Sequence, residues 1–197
     1  MKKGRILNDA GFSLIELIVA ILIMAIVGGA AIGAFNAVLS TKTNAAAKTV
    51  QDSLKQTRIA ALGKVNDEVE TSPLGGTRTN IYAKFYILNG SLYVDVCSDK
   101  SGTEDVFTSS TIGSDKYTVD FCDASGSSIA TLGSSTSNMT VYVYFKKSTG
   151  GVSRLYYTQP GSSGKTNGCE MIKVISPSGE TVNIILVTIT GRSYIDK

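Results

Sequence analysis

The residue types that carry most protein chemistry are scarce in this 197-residue sequence. It contains no histidine, the commonest general base and the commonest protein ligand of metals. Ser-His-Asp and Cys-His arrangements are therefore excluded. No glycine-rich phosphate loop follows a strand pattern. The composition predicts no catalytic residues, no cofactor and no metal site, and it argues against an enzyme.

Three cysteines, Cys97, Cys122 and Cys169, supply the thiols of the sequence. No two of them have the C-x-x-C spacing of a zinc or redox site. Because an odd number cannot pair completely within one chain, at least one thiol is left over. Outside the cell a single disulfide is predicted, and Cys97–Cys122 is the closest pair in sequence. Buried unpaired thiols are the alternative.

One carboxylate, that of Glu16, lies inside a long apolar stretch, where a charged group is energetically costly. Glu16 lies inside Phe12–Phe35, whose other residues are apolar or small and neutral apart from Ser13. A helix of this length rises about 36 Å, enough to cross a hydrocarbon core of ~30 Å. Because a carboxylate at this depth costs a few kcal/mol, we expect Glu16 to have a function. The alternative is that its side chain reaches the lipid headgroups.

A basic leader precedes the apolar stretch. Met1–Gly11 contains Lys2, Lys3, Arg5 and Asp9, a net charge of +2. The apolar run that follows is longer than the roughly 7–15 residues of a secretory signal. The positive-inside rule places the leader in the cytoplasm and the C-terminal body outside. The sequence therefore predicts a single-pass membrane protein.

The order of basic leader, Gly11, Phe12 and then Ser13–Leu17 resembles the class III signal of type IV pilins and type II secretion pseudopilins. The resemblance implies that a prepilin peptidase cuts after Gly11. It also implies that Phe12 becomes the N-methylated terminus of the mature subunit. A cation then lies at the start of an apolar helix, and a carboxylate in the first turns, Glu16, can serve as its counter-charge.

A salt bridge from Glu16 to the amine of a neighbouring subunit would set the axial register of a filament. Identical contacts that do not close generate a helical fibre. The implied partners are other pilin or pseudopilin subunits, the prepilin peptidase, an inner-membrane assembly platform and, before assembly, membrane lipid. The implied final location is an extracellular or periplasmic filament.

A second helical pattern continues beyond the apolar stretch. Asn36–Leu62 has no proline or glycine and is rich in good helix formers. Gly63 is a suitable stop. An apolar stripe with helical spacing runs through Ala47, Val50, Leu54, Ala61 and Leu62. Four segments are therefore predicted: the leader 1–11, a transmembrane or filament-core helix 12–35, the amphipathic second half of that helix 36–63, and a β-rich head 64–197.

The head has the pattern of short antiparallel strands. Asn89-Gly90 is a strong signal for a type I′ hairpin turn. Strands are predicted at 81–88, 91–97, 117–122, 140–146, 153–158, 171–175 and 181–190, and the stretches rich in Ser, Thr and Gly at 98–114, 124–137 and 159–168 are predicted as loops. The predicted fold is α+β, with a long helix whose second half covers an antiparallel β-sheet. The pilin resemblance implies the same fold.

Two stretches near the head, Leu54–Leu62 and Ser176–Arg192, are similar to the minor pseudopilin H family, which favours a minor subunit. The functional hypothesis is therefore a structural subunit, minor in role, of a type IV pilus or a type II secretion pseudopilus. The sequence does not choose between these and a competence filament.

The alternative function is a filament-tip subunit that captures DNA or surfaces. Without its leader the chain has 16 basic and 15 acidic residues, and this near-neutral charge gives no case for binding nucleic acid. A basic patch for DNA would draw on Arg154, Lys165, Lys173, Arg192 and Lys197; scattered solvated charges are the favoured interpretation of these residues.

Overall fold

A computed structural model describes residues 13–63, 80–100, 103–136, 138–166 and 168–196 of the chain. The chain divides into two compact units, Met1–Leu39 and Ser40–Lys197. The described residues form one long helix, α1 (Leu14–Gly63), a 3₁₀ turn (Ser134–Thr136) and eleven strands. The strands are β1 (Asn80–Leu88), β2 (Ser91–Lys100), β3 (Thr103–Ser114), β4 (Thr118–Cys122), β5 (Ser128–Leu132), β6 (Thr140–Phe145), β7 (Val152–Gln159), β8 (Ser162–Thr166), β9 (Met171–Ile175), β10 (Thr181–Val187) and β11 (Arg192–Asp196).

The second half of α1 is held by the narrow apolar stripe that the sequence predicts. Ala47, Val50, Leu54 and Ala61 are buried as predicted, together with Ala46, whereas Leu62 of the predicted stripe is only half-buried. Small polar side chains complete the buried face: Thr43, Ser53 and Thr57. Thr57 satisfies its hydroxyl by donating to the Ser53 carbonyl oxygen at 2.7 Å. The helix–sheet packing of the predicted α+β fold is confirmed.

The β1–β2 hairpin forms as predicted, around Asn89-Gly90. Both turn residues have positive φ, 51° for Asn89 and 73° for Gly90, as a type I′ turn requires. The turn sets the register so that Leu88 pairs with Ser91 and Tyr82 with Cys97. Because side chains alternate along a strand, the register sends Leu92 and its same-face neighbours on both strands to the core.

The strands form two antiparallel sheets, where the sequence predicted one. The six-stranded sheet has the order β3-β2-β1-β6-β7-β8, and the five-stranded sheet has the order β11-β10-β9-β4-β5. Their apolar faces belong to one core, in which the rings of Phe85 and Phe121 meet edge-on with centroids 5.1 Å apart. Each sheet has one apolar face. Because the two sheets and α1 share a single core, the apolar face of each sheet is covered.

Polar contacts join the second half of α1 to β11 and to the turn before it. Arg58 Nε donates to the Thr190 carbonyl oxygen at 2.6 Å. Gln51 Nε2 donates to the Ser193 carbonyl oxygen at 3.0 Å. Close packing in the same region requires a glycine at position 191. Gly191 has a φ of +64°, and a Cβ there would stand 1.7 Å from the carbonyl oxygen of Gly150. The β6–β7 and β10–β11 turns can therefore meet only because position 191 carries no side chain.

Three of the predicted loops contain strands. The stretch 98–114 contains the end of β2 and all of β3, 124–137 contains β5, and 159–168 contains β8. A further strand, β11, was not predicted from the sequence. All four missed strands lie at the edges of the two sheets. An edge strand pairs on one side only and is often polar, so it lacks the apolar pattern of a central strand.

Candidate functional site

The site singled out by the sequence lies at the first turn of α1. Ser13 precedes the helix, and its Oγ accepts a hydrogen bond from the Ile15 backbone N–H at 3.3 Å. Glu16 reaches back, and its Oε2 accepts from the Ser13 backbone N–H at 3.0 Å. This reciprocal arrangement is a capping box, which satisfies donors that the first turn of a helix leaves unpaired.

The capping role of Glu16 was missed in the sequence analysis, although its signal, Ser13-x-x-Glu16, is present. Because the N-terminal end of a helix carries a partial positive charge, a carboxylate is also favoured there electrostatically. Glu16 therefore has a structural role within its own helix. Gly11 and Phe12 lie outside the described residues, so cleavage and N-methylation stay predictions.

Glu16 stands at the edge of an apolar helix face. A shallow groove on that face is lined by Ile15, Glu16, Val19, Ala20 and Ile23. Their spacing of three and four residues places all five on one side of α1. The groove therefore combines one anionic group at the N-terminal end with aliphatic side chains along its length. Such a surface can receive an apolar segment that brings a cation to the first turn.

Between Leu14 and Val27 the helix surface is apolar on all sides, apart from Glu16. The side chains of Leu14, Ile15, Leu17, Ile18, Val19, Ile21, Leu22, Ile23, Met24, Ile26 and Val27 are all exposed. Exposed apolar surface of this extent marks a contact with lipid or with other apolar surfaces. Among the described residues, no helix is both long and apolar enough to span a membrane. The predicted membrane segment 12–35 stays a prediction.

The structure does not bring Cys97 and Cys122 together. Cys97 lies on β2 in the six-stranded sheet and Cys122 on β4 in the five-stranded sheet, each as a buried free thiol. Cys97 packs with Tyr82 and Tyr144, a cluster separate from the main core. Both thiols are free in the structure, and Cys97 packs apart from the core that the two sheets share, so the fold gives no support to the predicted Cys97–Cys122 bond.

Burial keeps the thiols neutral. It raises the pKa of Cys97 to about 12, with the charges of Glu104 and Asp95 acting in the same direction. Burial also raises the pKa of Cys169 to about 12, and it raises the pKa of Cys122, which lies near Asp120. Because the thiolate is the reactive form, these groups are poor nucleophiles in the folded protein.

The basic residues considered for DNA binding are dispersed. Arg154 on β7 and Lys165 on β8 belong to the six-stranded sheet, whereas Lys173 on β9 and Arg192 on β11 belong to the other. The Arg154 guanidinium lies 4.5 Å from the centroid of the Tyr144 ring. Lys173 Nζ donates to the Gly126 carbonyl oxygen at 3.2 Å. The structure thus engages two of these side chains locally; Lys197 lies outside the described residues.

Carboxylates near the β4–β5 turn have local hydrogen-bond partners. Asp123 Oδ1 accepts from the backbone N–H groups of Ser125 and Ser127 at 2.9 and 3.0 Å. Asp120 Oδ1 accepts from the hydroxyls of Ser128 and Thr131. In the described part of the chain, no group of three or more Asp, Glu, Cys or His side chains could hold a metal ion.

Comparison with known proteins gave one result, and it falls on the first turn of α1. No curated protein and no solved structure matched the chain. Residues 6–32 match a family model, the prokaryotic N-terminal methylation motif. The match spans Gly11, Phe12, the capping box and all five groove residues. The chain therefore carries the class III methylation signal where its sequence predicted one, a finding consistent with a type IV pilin or pseudopilin.

Proposed function

We propose that the chain is a structural subunit of a type IV pilus or a type II secretion pseudopilus. In this proposal a prepilin peptidase cuts after Gly11 and methylates Phe12, and the subunit then packs through α1. The observation that carries the proposal is the position of Glu16. Its carboxylate lies in a capped first turn, beside an apolar groove and within the methylation motif.

The chemistry of cleavage supports a role for Glu16 as the counter-charge of the new N-terminus. Cutting after Gly11 converts the backbone nitrogen of Phe12 from a neutral amide into an ammonium group, which stays cationic after methylation. That group stands one residue before Ser13, whose N–H already binds the Glu16 carboxylate. In an apolar environment an unpaired cation is costly, whereas a paired one is tolerated. Glu16 is the only charged residue between Ser13 and Thr41, so it is the counter-charge nearest in sequence.

The apolar first half of α1 is suited to two environments in succession, the lipid bilayer and the interior of a filament. Before assembly, lipid would cover the exposed aliphatic side chains; after assembly, the same segments of neighbouring subunits would cover them. We propose that the leader faces the cytoplasm and that the unit Ser40–Lys197 lies outside, because Lys2, Lys3 and Arg5 precede the apolar stretch.

A minor role in the filament is part of the proposal. It rests on the similarity of Leu54–Leu62 and Ser176–Arg192 to minor pseudopilins. Gly191 within the second stretch also has a packing reason of its own, the close approach of the Gly150 carbonyl oxygen. The similarity of the Leu54–Leu62 stretch therefore carries more weight for a minor subunit than the glycine does.

The experiment that tests the proposal is the processed mass. The full chain is produced together with a prepilin peptidase, and the intact protein is weighed by mass spectrometry. We expect the loss of residues 1–11 and the gain of one methyl group on Phe12. A Gly11→Leu variant, which alters only the residue before the cut, is the matched control and should keep its leader. An intact leader on the unaltered chain would contradict the proposal.

A further inference from the structure

The two cysteines that the fold brings together are Cys122 and Cys169. Cys122 is the last residue of β4, and Cys169 stands two residues before the first residue of β9. β4 and β9 are paired so that Cys122 lies opposite Met171. Beyond that pair, the Glu170 backbone N–H donates to the Cys122 carbonyl oxygen at 3.0 Å. The segment that carries Cys169 is therefore fastened directly to Cys122.

This hydrogen bond limits the separation of the two residues. The Glu170 nitrogen is bonded to the carbonyl carbon of Cys169, so standard bond lengths keep the two cysteine Cα atoms within roughly 8 Å. A disulfide needs a Cα separation of about 4.4–6.8 Å, and this range lies within that limit. The Cys169 thiol donates to the carbonyl oxygen of Met171, the residue opposite Cys122, at 3.7 Å.

Cys97 offers no such geometry. It lies in the other sheet, packed against Tyr82 and Tyr144 outside the main core. Cys169, in contrast, belongs to the main core, and Cys122 is fully buried beside it. The close sequence spacing of Cys97 and Cys122 is thus a poorer guide to pairing than the register of β4 and β9.

We propose that Cys122 and Cys169 form a disulfide in the exported protein and that Cys97 stays a free buried thiol. The export is that of the proposed function, on which this inference rests for its oxidising compartment. The bond joins β4 to the segment entering β9 and closes a loop that contains β5, β6, β7 and β8.

The oxidant is the disulfide of an exchange partner, either a thiol oxidoreductase or a small disulfide such as oxidised glutathione. One cysteine thiolate attacks a sulfur of that disulfide, which forms a mixed disulfide and releases one thiolate. The second cysteine thiolate attacks the mixed disulfide, which closes the Cys122–Cys169 bond and releases the second thiolate. The two protons lost by the cysteines go to the two released thiolates. The protein is oxidised by two electrons and the partner disulfide is reduced to two thiols.

Burial of the two thiols determines whether oxidation occurs before or after folding is complete. Because it raises the pKa of both thiols in the folded protein, few thiolates are present once the two sheets have closed. Oxidation is therefore fastest while the chain is still folding. A reduced, folded sample should react with oxidised glutathione more slowly than the same chain refolding from urea.

Peptide mapping tests the pairing, since trypsin separates the three cysteines. Cleavage after lysine and arginine leaves Cys97 in residues 85–100, Cys122 in 117–146 and Cys169 in 166–173. The full chain, exported in cells that have a prepilin peptidase, is alkylated without reduction and digested. We expect 117–146 linked to 166–173, with 85–100 carrying one alkyl group. The link should persist in Cys97→Ser and vanish in Cys169→Ser. Alkylation of all three cysteines in a chain that has lost its leader, or a link to 85–100, would overturn the pairing.

A second measurement separates this inference from the proposed function. The purified full chain in detergent is refolded with oxidised glutathione, so that no export is needed. The same linked peptides in this sample would support the pairing whatever the fate of the filament proposal, and their absence would overturn it. The link in the refolded sample, together with free thiols and an intact leader in cells, would contradict the proposed function alone.

The bond should also be visible in stability. A disulfide that closes a loop of this size restricts the unfolded chain, so reduction should lower the Tm by on the order of 10 °C. Cys97→Ser should not reproduce that loss. An unchanged Tm on reduction of the linked form would contradict a stabilising role for the bond.

Discussion

The two halves of α1 face their surroundings in different ways. In the half before Gly29 the large apolar side chains are exposed on every side, with 76% of Leu14 and 72% of Met24 accessible. In the half after Ser40 a narrow stripe is buried, and Val50 and Leu54 are fully inaccessible. One helix therefore carries two patterns. The second half has a fixed face toward its own domain, whereas the first half has no apolar face that differs from the others.

This difference gives the proposed role of Glu16 a physical basis. A helix that is apolar all round can rotate or slide against a similar neighbour at little cost, because aliphatic contacts are not directional. A charge can define one depth and one face. Since Glu16 is the only charged residue between Ser13 and Thr41, it can give the first half the specificity that the stripe gives the second.

The largest expected effect is a difference in unfolding free energy between a Leu→Ala substitution in the second half of α1 and one in the first half. Leu54→Ala removes a fully buried side chain and should lower the free energy of unfolding of the head by about 2–5 kcal/mol. Leu22→Ala, at a side chain that is 59% exposed, should leave that value unchanged. Urea denaturation of the full chain in detergent measures both. Equal losses for the two variants would erase the distinction between the halves.

The next effect tests the charge in the first half. Glu16→Gln keeps an oxygen that can accept from the Ser13 N–H but loses the negative charge. We expect at least about a tenfold loss of incorporation into filaments, equivalent to roughly 1.4 kcal/mol, with leader cleavage preserved. Quantitative immunoblotting of sheared filaments measures it.

Two controls accompany Glu16→Gln. Asp52→Asn removes a carboxylate from the second half, where Asp52 and Lys55 form an exposed pair at 3.4 Å, and it should not alter incorporation. Ser13→Ala removes the hydroxyl of the capping box and leaves the charge. If Glu16→Gln assembles normally while Ser13→Ala does not, Glu16 acts as a helix cap and its role as a counter-charge is wrong.

The stability of the head should depend on pH. The pKa values of Cys97 and Cys169 are raised to about 12 by burial, and that of Tyr144 is raised in the same way. A raised pKa means that the folded state holds the proton more tightly, so this stability is present below about pH 9 and is lost as the pH rises toward 12. In reducing buffer the Tm should fall by a few degrees between pH 8 and 9.5. Cys97→Ser should show a smaller fall, and a Tm that rises would contradict the assignment.

The smallest effect concerns the polar contacts of the second half. Gln51 donates to the Ser193 carbonyl oxygen, so Gln51→Ala should cost about 0.5–1.5 kcal/mol of unfolding free energy. Gln56→Ala, at an exposed position of the same helix, is the matched control and should cost less than that. Chemical denaturation of both variants gives the comparison. Equal costs would mean that the contact with β11 adds nothing to the packing of the stripe.

The predictable parts of the fold are those with a periodic apolar pattern. The stripe of Val50 and Leu54 and the central strands, with Asn89-Gly90 between two of them, could be predicted because each buries one face. The four edge strands could not, since a strand such as β3 exposes most of its residues and is rich in serine and threonine. The division into two sheets was missed for a related reason: which strand joins which sheet depends on contacts between distant residues.

The candidate site also has features that could be predicted from the sequence and features that could not. The methylation signal that contains Gly11, Phe12 and Glu16 could be predicted, because it is a short local pattern, and the match to residues 6–32 spans it. The capping box was available from local sequence and was overlooked. The partner of Cys122 could not be predicted: Cys97 is nearer in sequence, and only the register of β4 with β9 places Cys169 beside it.

The order of strands in the six-stranded sheet has a consequence for the timing of synthesis. The sheet consists of two runs of consecutive strands, β1 to β3 and β6 to β8, which meet where β1 pairs with β6. The ribosome makes Thr140, the first residue of β6, 60 residues after Asn80, the first residue of β1, which takes roughly 3–12 s at 5–20 residues per second. During that interval β1 has an open edge that can pair with another chain. The interval between β1 and β6 is therefore the time when a nascent copy of this protein is most exposed to its neighbours.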